Sequence, residues 1–270
     1  MKKYLVTKNC IVLLTCSVLA ACTTSKLAKT EKVNPCTQTA KLSGGTAFTS
    51  NSGGNVPLSG SPYGYEMWTE GGNNNELTWY GANRGGGAAF SAKWNNAKDF
   101  LGRVGYFWNE NKPYTAYKNI YCDYNYTRSA NGTGGGYSYI GIYGWSLNPM
   151  IEWYIVDDWF GDGIVGTAQM SRGAVKKGEF TVDGAVYFVY QATRPAGSGN
   201  IKGSKDPFIQ YFSVRQTRRQ CGTISVTEHF KEWEKLGMKL GDNMWETKFL
   251  VEAGGGTGWF DASYISFYQK

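Results

Sequence analysis

Two glutamates stand in segments whose residue types suit both strand formation and acid–base chemistry. Glu152 lies within "IEWYIVDDW" (151–159), and Glu252 ends "WETKFLVE" (245–252). Because residues two apart in a strand share a face, Glu152 shares its face with Tyr154 and not with the apolar residues beside it. Paired carboxylates on an aromatic surface suit glycoside hydrolysis, in which one carboxyl protonates the leaving oxygen and the other attacks or activates water. The residues alone leave an alternative of similar weight, that both glutamates are charges on edge strands.

The elements that must hold these carboxylates are predicted to be strands. Aromatic residues make up 16% of the chain, and short alternating runs such as "YSYIGIYGW" (137–145) and "AVYFVYQATR" (185–194) are separated by glycine and asparagine clusters. Regular strand spacing with turn residues between the strands is typical of a β-sandwich or barrel. In the run 137–145 the tyrosines at 137, 139 and 143 are expected on one face with Trp145.

One segment, "SVTEHFKEWEKLGMKLG" (225–241), has the spacing of an amphipathic helix. Ser225 and Glu228 form a capping-box pattern, and Gly237 or Gly241 is expected to end the helix. His229, the one histidine of the chain, lies on this helix and is interpreted as structural. A single histidine also excludes most triad and histidine-ligated metal mechanisms.

The first 21 residues have the pattern of an export signal. Lysines at 2, 3 and 8 precede an apolar run that ends "LAAC" (19–22). Small residues before a cysteine resemble the bacterial lipobox, so residues 1–21 are predicted to be a lipoprotein signal peptide and Cys22 the lipidated residue. Acyl chains on Cys22 would anchor the protein to a bacterial membrane, expected to be the outer one, or to the cell surface. If the lipobox is not used, the protein is secreted.

Residues 22–60 are rich in Thr, Ser, Lys, Gly and Asn, and are predicted to form a polar tether and N-terminal tail. Beyond Cys22, the cysteines are Cys36, Cys122 and Cys221, which allow one intrachain disulfide in three pairings. Cys36–Cys221 is favoured because it would attach the tail to the folded body. Three free thiols are the alternative.

Charge and composition argue against several partner classes. The net charge of +7 falls to +4 without the three lysines of residues 1–21, and no basic run is present, so no nucleic-acid partner is expected. No ligand cluster has metal spacing, and we expect neither a metal nor another cofactor. The three aspartates of "DDWFGDG" (157–163) lack the EF-hand pattern and are interpreted as a solvated turn.

Several separated motifs, in order, resemble glycoside hydrolase family 11, the β-jelly-roll endo-β-1,4-xylanases. These are "GYEMWTEGG" (64–72), "YGWSLNPMIEWYIVDDW" (143–159), the stretch from "QYFSVRQ" (210–216) through the helix, and "FLVEAGGGTG" (249–258). The resemblance covers residues 61–270, which are predicted to be the catalytic domain. It implies an all-β jelly roll of two twisted antiparallel sheets forming a cleft, with one α-helix packed on the outer face. It also implies a monomer that binds xylan and xylo-oligosaccharides.

The resemblance further implies a retaining mechanism and a role for each matching residue. Glu152 would be the nucleophile, and Glu252 the general acid and then the general base. Asp99 matches a position beside the acid/base where the family has Asn or Asp, the Asp variants working at more acidic pH. Trp68 would stack on a distal xylose, and Tyr139 would help to line the cleft. Tyr143 and Tyr154 would hydrogen-bond around the nucleophile and the sugar bound there. Arg194 and Gln210 would orient substrate and help to keep Glu152 ionised.

The chain departs from the family pattern in three places. The segment "RPAGSGNIKGSKDPF" (194–208) should be the family's thumb loop, but "GSGNI" (197–201) replaces the usual Pro-Ser-Ile tip. "EAGGG" (252–256) replaces the commoner Glu-Gly-Tyr, so a cleft aromatic is missing after Glu252. An aromatic is expected near Glu246, but Trp245 is one position away by simple alternation and is left unassigned.

Two alternatives to a secreted, lipid-anchored xylanase remain open. A non-catalytic xylan-binding jelly-roll lipoprotein would keep Trp68 and the tyrosines but would need neither glutamate. A β-glucanase of related fold would differ in the width of the pocket beside sugar C5, which the sequence does not reveal.

Overall fold

The computed structural model describes residues 33–51, 55–109, 111–130, 137–161 and 173–270. The alternating runs form strands, because β-branched and aromatic residues suit a pleated, half-buried surface. Within the described residues the strands are β1 (Thr46–Phe48), β2 (Val56–Pro57), β3 (Tyr63–Trp79), β4 (Phe90–Phe107), β5 (Ile120–Ala130), β6 (Ser138–Leu147), β7 (Ile151–Asp158), β8 (Val175–Val182), β9 (Ala185–Arg194), β10 (Phe208–Arg215), β11 (Cys221–Ile224), β12 (Asn243–Ala253) and β13 (Gly256–Gln269). Two 3₁₀ turns (Pro35–Thr37 and Tyr114–Ala116) and one α-helix, α1 (Val226–Lys235), complete this part of the chain.

The strands pair into one curled sheet in the order β11-β5-β13-β4-β12-β6-β7-β10-β9-β8. β3 pairs with β4, and β1 and β2 pair with β3. The predicted all-β jelly roll with a cleft and one outer helix is confirmed. The structure adds two details: the two layers belong to one hydrogen-bonded sheet, and β7 pairs with β10 in parallel.

The two faces of β6 and β7 carry different clusters of side chains. Ile151, Trp153 and Ile155 belong to the main hydrophobic core. Tyr154 and Val156, with the aromatic residues of β6, belong to a second cluster on the opposite face. The predicted alternation along β7 is therefore confirmed, and Glu152 lies on the face of the second cluster.

The predicted helix is present, but its N-terminus is capped differently from the prediction. The Ser225 side chain makes no cap hydrogen bond to the helix. Instead, the backbone N–H and the hydroxyl of Ser225 donate to the carboxylate of Asp183, at 2.8 and 2.6 Å. The prediction of a capping box was wrong because Ser225 bonds to Asp183, in the turn between β8 and β9, instead of to the first turn of the helix. Gly237, at φ 76°, follows the helix as expected.

The inner side of α1 packs on the face of the sheet that points away from the second cluster. The rings of Phe230 and Trp153 lie 4.9 Å apart, and Trp233 Nε1 donates to Ser213 Oγ at 2.8 Å. His229 is fully buried against Tyr187, with 4.5 Å between ring centroids. Burial lowers the pKa of His229 to about 3, so the ring is neutral at physiological pH. Among the residues that the structure describes, no helix is both long and apolar enough to cross a membrane.

The N-terminal tail packs further into the molecule than the predicted tether. Residues 34–270 form one compact unit, which includes most of the segment 22–60. Cys36 and Cys221 form the predicted disulfide, and Cys122 is a buried free cysteine. β1 and β2 add to the edge of β3, so backbone pairing holds a segment whose composition is polar. Cys22 lies outside the described residues.

The aspartates that end β7 are not solvated, so this interpretation was wrong. Asp157 and Asp158 are both fully buried. Asp157 accepts hydrogen bonds from Tyr124, Tyr187 and Arg219, and Asp158 accepts from both nitrogens of the Arg128 fork. Residues of β5, of β9 and of the turn between β10 and β11 supply these donors, and they satisfy carboxylates that would otherwise be costly to bury. Asp162 lies outside the described residues.

Candidate active site

The second cluster lines a cleft of about 1350 Å³. The cleft brings together every residue predicted from the sequence to form the site: Trp68, Asp99, Tyr139, Tyr143, Glu152, Tyr154, Arg194, Gln210 and Glu252. They come from β3, β4, β6, β7, β9, β10 and β12, so each of these strands contributes side chains of one face. Their proximity follows from the curl of the sheet, since these segments are separated by up to 184 positions in the sequence.

Glu152 is held by hydrogen bonds from three neighbours. The hydroxyls of Tyr143 and Tyr154 donate to Oε1 at 2.6 and 3.0 Å, and Gln210 Nε2 donates to Oε2. Tyr143 is on the adjacent strand β6, Gln210 is the parallel register partner of Glu152 on β10, and Tyr154 is two residues along β7. Both carboxylate oxygens therefore have donors and a fixed orientation.

The proton affinity of Glu152 reflects burial and these donors together. Only 7% of the residue is exposed, and burial raises the pKa of Glu152 above its ordinary value. The hydrogen bonds from Tyr143, Gln210 and Tyr154 and the charge of Arg103 oppose that rise, because they favour the ionised form. Arg103, which was not predicted from the sequence as a site residue, is thus a cation that favours the ionised form of Glu152.

Within the described part of the chain, Glu252 is buried with fewer hydrogen-bond donors around its carboxyl group than Glu152 has. It is on β12, opposite Tyr139 of β6 and Leu101 of β4, and is also 7% exposed. Burial and the negative charges of Asp99 and Glu152 raise the pKa of Glu252 well above its ordinary value. Its Oε2 is buried without a hydrogen-bond partner among the described residues. This carboxyl group therefore keeps its proton to higher pH than an ordinary glutamate does.

Asp99 is linked to the cleft through Tyr137. The Tyr137 hydroxyl donates to Asp99 Oδ2, and burial raises the pKa of Asp99 to about 6, although that hydrogen bond acts in the opposite direction. The Tyr137 ring lies against Gly254, where an added β-carbon would be 2.5 Å from Tyr137 Cε1. The glycine two positions after Glu252 thus makes room for an aromatic ring from the residue that precedes β6.

Arg194 and Trp68 lie on other parts of the cleft wall. The positive charge of Arg194 lowers the pKa of both Glu252 and Asp99, against the larger effect of burial on each. Trp68 is 38% exposed, which leaves its ring open to solvent. An exposed tryptophan on a cleft wall can stack on an apolar face of a ligand.

The predicted thumb is the loop 195–207 between β9 and β10, and its tip is organised around Asn200. The Asn200 side chain accepts from the backbone N–H groups of Lys202 and Ser204 and donates to Ser204 Oγ. Ile201 lines the cleft and packs against the second cluster. The altered tip therefore still carries one apolar side chain towards the cleft.

The sequence analysis missed three groups that the structure adds to the site. Arg103 and Glu66 line the cleft, and alternation along β4 from Asp99 and along β3 from Trp68 would have indicated both. Tyr137 contacts Asp99 from the N-terminal side of β6.

A register shift in β12 between Met244 and Glu246 lets Trp245 pack against the second cluster, which simple alternation could not predict.

The arrangement is two buried carboxyl groups of unequal proton affinity in one aromatic cleft. Glu152 is surrounded by donors that favour its ionised form, whereas Asp99 and Glu152 favour the protonated form of Glu252. Such a pair supplies one group able to attack or to activate water and one group able to donate a proton. These are the two functions that glycosidic bond cleavage requires.

Comparison with known proteins gives a consistent assignment. The family model described as glycosyl hydrolases family 11 matches residues 61–263. Endo-1,4-beta-xylanase C of Fibrobacter succinogenes is 47% identical over 213 residues, which are 78% of this chain and 32% of that protein. Endo-1,4-beta-xylanase S20 of Neocallimastix patriciarum is 44% identical over 235 residues, which are 86% of this chain and 65% of that protein.

Solved structures agree with this assignment. A crystal structure of a mutant of ENZbleach xylanase has a TM-score of 0.82 at 54% identity, and the match covers 88% of this chain and 92% of that chain. The chain spans less than two thirds of the length of the two curated relatives described above. The family model covers most of the described fold, cleft and carboxyl pair included, and the chain therefore belongs to glycosyl hydrolases family 11.

Proposed function

We propose that this chain is a retaining endo-1,4-β-xylanase that hydrolyses internal β-1,4-xylosidic bonds of xylan by double displacement. The observation that carries the proposal is the pairing of Glu152 and Glu252 in one cleft, where hydrogen-bond donors favour ionised Glu152 and nearby negative charges favour protonated Glu252. The relatives named as endo-1,4-beta-xylanases support the choice of xylan as the substrate.

In the first step, a carboxylate oxygen of Glu152 attacks C1 of the sugar as the bond from C1 to the leaving oxygen breaks. Glu252 gives its proton to that oxygen, so the departing chain leaves as a neutral alcohol. The product is a covalent ester between Glu152 and the xylosyl unit. Retaining enzymes hold the two carboxyl groups about 5–5.5 Å apart for this step.

In the second step, Glu252 acts as a base. Once Glu152 is a neutral ester, the pKa of Glu252 falls because a negative charge beside it has gone. Glu252 takes a proton from water, the water oxygen attacks C1, and the ester bond breaks. Two inversions at C1 leave its configuration unchanged, and both carboxyl groups return to their starting states.

The other cleft residues bind and orient the substrate. Trp68 stacks on a distal xylose, and Tyr139, Tyr143 and Tyr154 surround the sugar at the nucleophile. Gln210 keeps Glu152 in line, and Arg194 orients substrate from the other wall. Ile201 of the thumb covers the bound chain.

Three measurements test the proposal. Reducing ends should be released from xylan but not from carboxymethylcellulose, and ¹H NMR of the first product should show the β-anomer before mutarotation. The Glu152→Ala variant should bind xylan but release no reducing ends from it. Binding without hydrolysis by the wild type would favour the non-catalytic alternative, and preferential cleavage of cellulose or mixed-linkage glucan would favour the β-glucanase.

We also propose that the protein is exported as a lipoprotein and is monomeric. The apolar run before "LAAC" and the cysteine at 22 support acylation of Cys22. Metabolic labelling with a radioactive fatty acid should mark the wild type and not Cys22→Ala. Equal labelling of the two, or no labelling of either, would argue for a secreted protein instead.

A further inference from the structure

Four charged side chains form a buried cluster beside Glu152, here called the charged cluster: Glu66, Arg103, Glu246 and Lys248. Arg103 pairs with Glu66 and lies 3.2 Å from Glu246, and Lys248 Nζ lies 2.9 Å from the other oxygen of Glu246. Arg103, Glu246 and Lys248 are essentially inaccessible, and Glu66 opens onto the cleft. Asn55, beside β2, accepts a hydrogen bond from Lys248.

A cluster of this kind is a poor way to gain stability. Removing each charge from water is costly, and a well-packed apolar group of similar volume is often as stable or more so. The cluster is neutral as a whole, with two cations and two anions. A specific role in holding one of its members therefore explains it better than stability does.

Arg103 is the member that reaches the nucleophile's surroundings. Its guanidinium carbon lies 4.3 Å from the centroid of the Tyr143 ring, and the Tyr143 hydroxyl donates to Glu152 at 2.6 Å. Trp145 Nε1 donates to the same hydroxyl oxygen. The Tyr143 ring is thus fixed on its face by a cation and at its oxygen by an indole, which leaves the hydroxyl hydrogen directed at the carboxylate.

We propose that Arg103 is a positioning residue for the nucleophile: it fixes Tyr143 and presents positive charge to Glu152, and Glu66, Glu246 and Lys248 hold it in place. The inference rests on the proposed function of Glu152. It assigns a role to a residue that acts on Glu152 through Tyr143 and through its charge, and it explains why an almost fully buried arginine lies in the cleft wall.

The other groups that face Glu152 come from four strands. Tyr139 and Tyr143 lie on β6, Tyr154 on β7, Gln210 on β10 and Glu252 on β12. Arg103 lowers the pKa of Glu152 and also that of Glu252. Removing Arg103 should therefore raise the pKa of both groups, and the acidic limb of the profile of kcat/KM against pH, which reports Glu152, should move to higher pH.

The test compares Arg103→Met and Arg103→Lys with the wild type. The first removes the charge and the fork, and the second keeps a cation. Each protein is treated with a 2-deoxy-2-fluoro-xylobioside that carries an activated phenol, and the labelled peptide is identified by mass spectrometry. Labelling of the nucleophile by this probe needs no proton from Glu252. In Arg103→Met we expect the probe to label Glu152 roughly ten- to a hundredfold more slowly. The reason is that misplacing a reacting group by about 1 Å can lower a reaction rate about 10²-fold.

The accompanying pH profiles separate positioning from a general loss of structure. In Arg103→Met the acidic limb should move to higher pH, and Arg103→Lys should restore part of that shift. The matched control is Lys93→Met, which removes a half-exposed cation paired with Glu76 outside the cleft. It should change neither the labelling rate of Glu152 nor the position of the acidic limb. Wild-type labelling and an unmoved limb in a folded Arg103→Met protein would overturn the inference.

A second variant covers the case in which Arg103→Met does not fold. Glu246→Gln keeps an oxygen acceptor beside Arg103 but removes the charge that holds it, so slower labelling of Glu152 is again expected. A wild-type labelling rate there would overturn the inference. If the probe labels the wild type at a residue other than Glu152, or not at all, it is the proposed function that fails.

Discussion

Glu152 and Glu252 differ in what each carboxyl group meets, although both are buried to the same degree. Glu152 receives three hydrogen bonds that favour its ionised form, whereas the charge of Arg103 lowers the pKa of both carboxyl groups. Glu252 has an oxygen without a donor among the described residues and the negative charge of Asp99 nearby. Glu152 should therefore lose its proton at lower pH than Glu252, which is the order that a nucleophile and a general acid require.

Replacing Glu252 with Gln should affect substrates according to their leaving groups. On xylan the loss in kcat/KM should be about 10²- to 10⁴-fold, the usual contribution of a general acid. On a dinitrophenyl xylobioside the loss should be much smaller, because that leaving group needs no proton. The measurement is kcat/KM on both substrates. Glu179→Gln, which alters an exposed carboxylate on β8 outside the cleft, is the control and should leave the ratio unchanged. Equal losses on the two substrates would remove Glu252 from the role of acid.

Replacing Asp99 with Asn should lower the pKa of Glu252. The carboxylate of Asp99 raises that pKa, since one negative charge disfavours another, and an amide carries no charge. Titration of ¹³C-carboxyl-labelled glutamate by NMR should show the Glu252 signal changing at lower pH in the variant than in the wild type. The matched control is Asp242→Asn, which does not line the cleft and should leave the titration in place. An unmoved Glu252 signal would mean that Asp99 does not interact with it.

At the scale of elements, alternation was the reliable guide. It assigned the faces of β6 and β7 correctly, because burying one face leaves a period of two in the sequence. It could not reveal that β7 pairs in parallel with β10, since the same alternation serves either direction of pairing. Nor could it place Trp245, because a register shift in β12 interrupts the alternation there.

Charged residues were predicted less well than apolar ones, for a related reason. Asp157 and Asp158 are buried because Tyr124 and Arg128 of β5, and Arg219 of the turn after β10, donate to them. Composition at 157–163 indicates a solvated turn, and only the three-dimensional neighbours decide otherwise. Arg103 escaped notice although it shares the face of Asp99, because a single charged residue in a strand resembles a solvent-exposed one.

The helix cap gives a prediction at this scale. Asp183→Ala removes both hydrogen bonds to Ser225 and places alanine at φ 52°, so the free energy of unfolding should fall by about 1–3 kcal/mol. Glu228→Ala tests the alternative capping box and should cost less than about 0.5 kcal/mol, since Glu228 only pairs with exposed Lys231. Urea unfolding of both variants measures the difference. A larger loss of unfolding free energy in Glu228→Ala than in Asp183→Ala would favour the capping box over the Asp183 contact.

At the scale of the whole molecule, the N-terminal tail is part of the folded unit. Its polar composition predicted a tether because little in it can bury apolar surface. The structure holds it by other means: backbone pairing of β1 and β2, the disulfide, and the contact of Asn55 with Lys248. The last of these joins the tail to the charged cluster, so the tail and the cleft share one network of contacts.

The disulfide should contribute much of the stability of the folded unit that includes the tail. It joins residues 185 positions apart, and loop closure of this length corresponds to about 5 kcal/mol on the chain-entropy model. Cys36→Ala/Cys221→Ala should therefore lower Tm by roughly 10–20 °C in calorimetry, given about 2–4 °C per kcal/mol for a domain of this size. The wild type with a reducing agent is the control and should approach the variant, because Cys122 forms no disulfide. A variant with the wild-type Tm would mean that β1, β2 and Asn55 alone hold the tail.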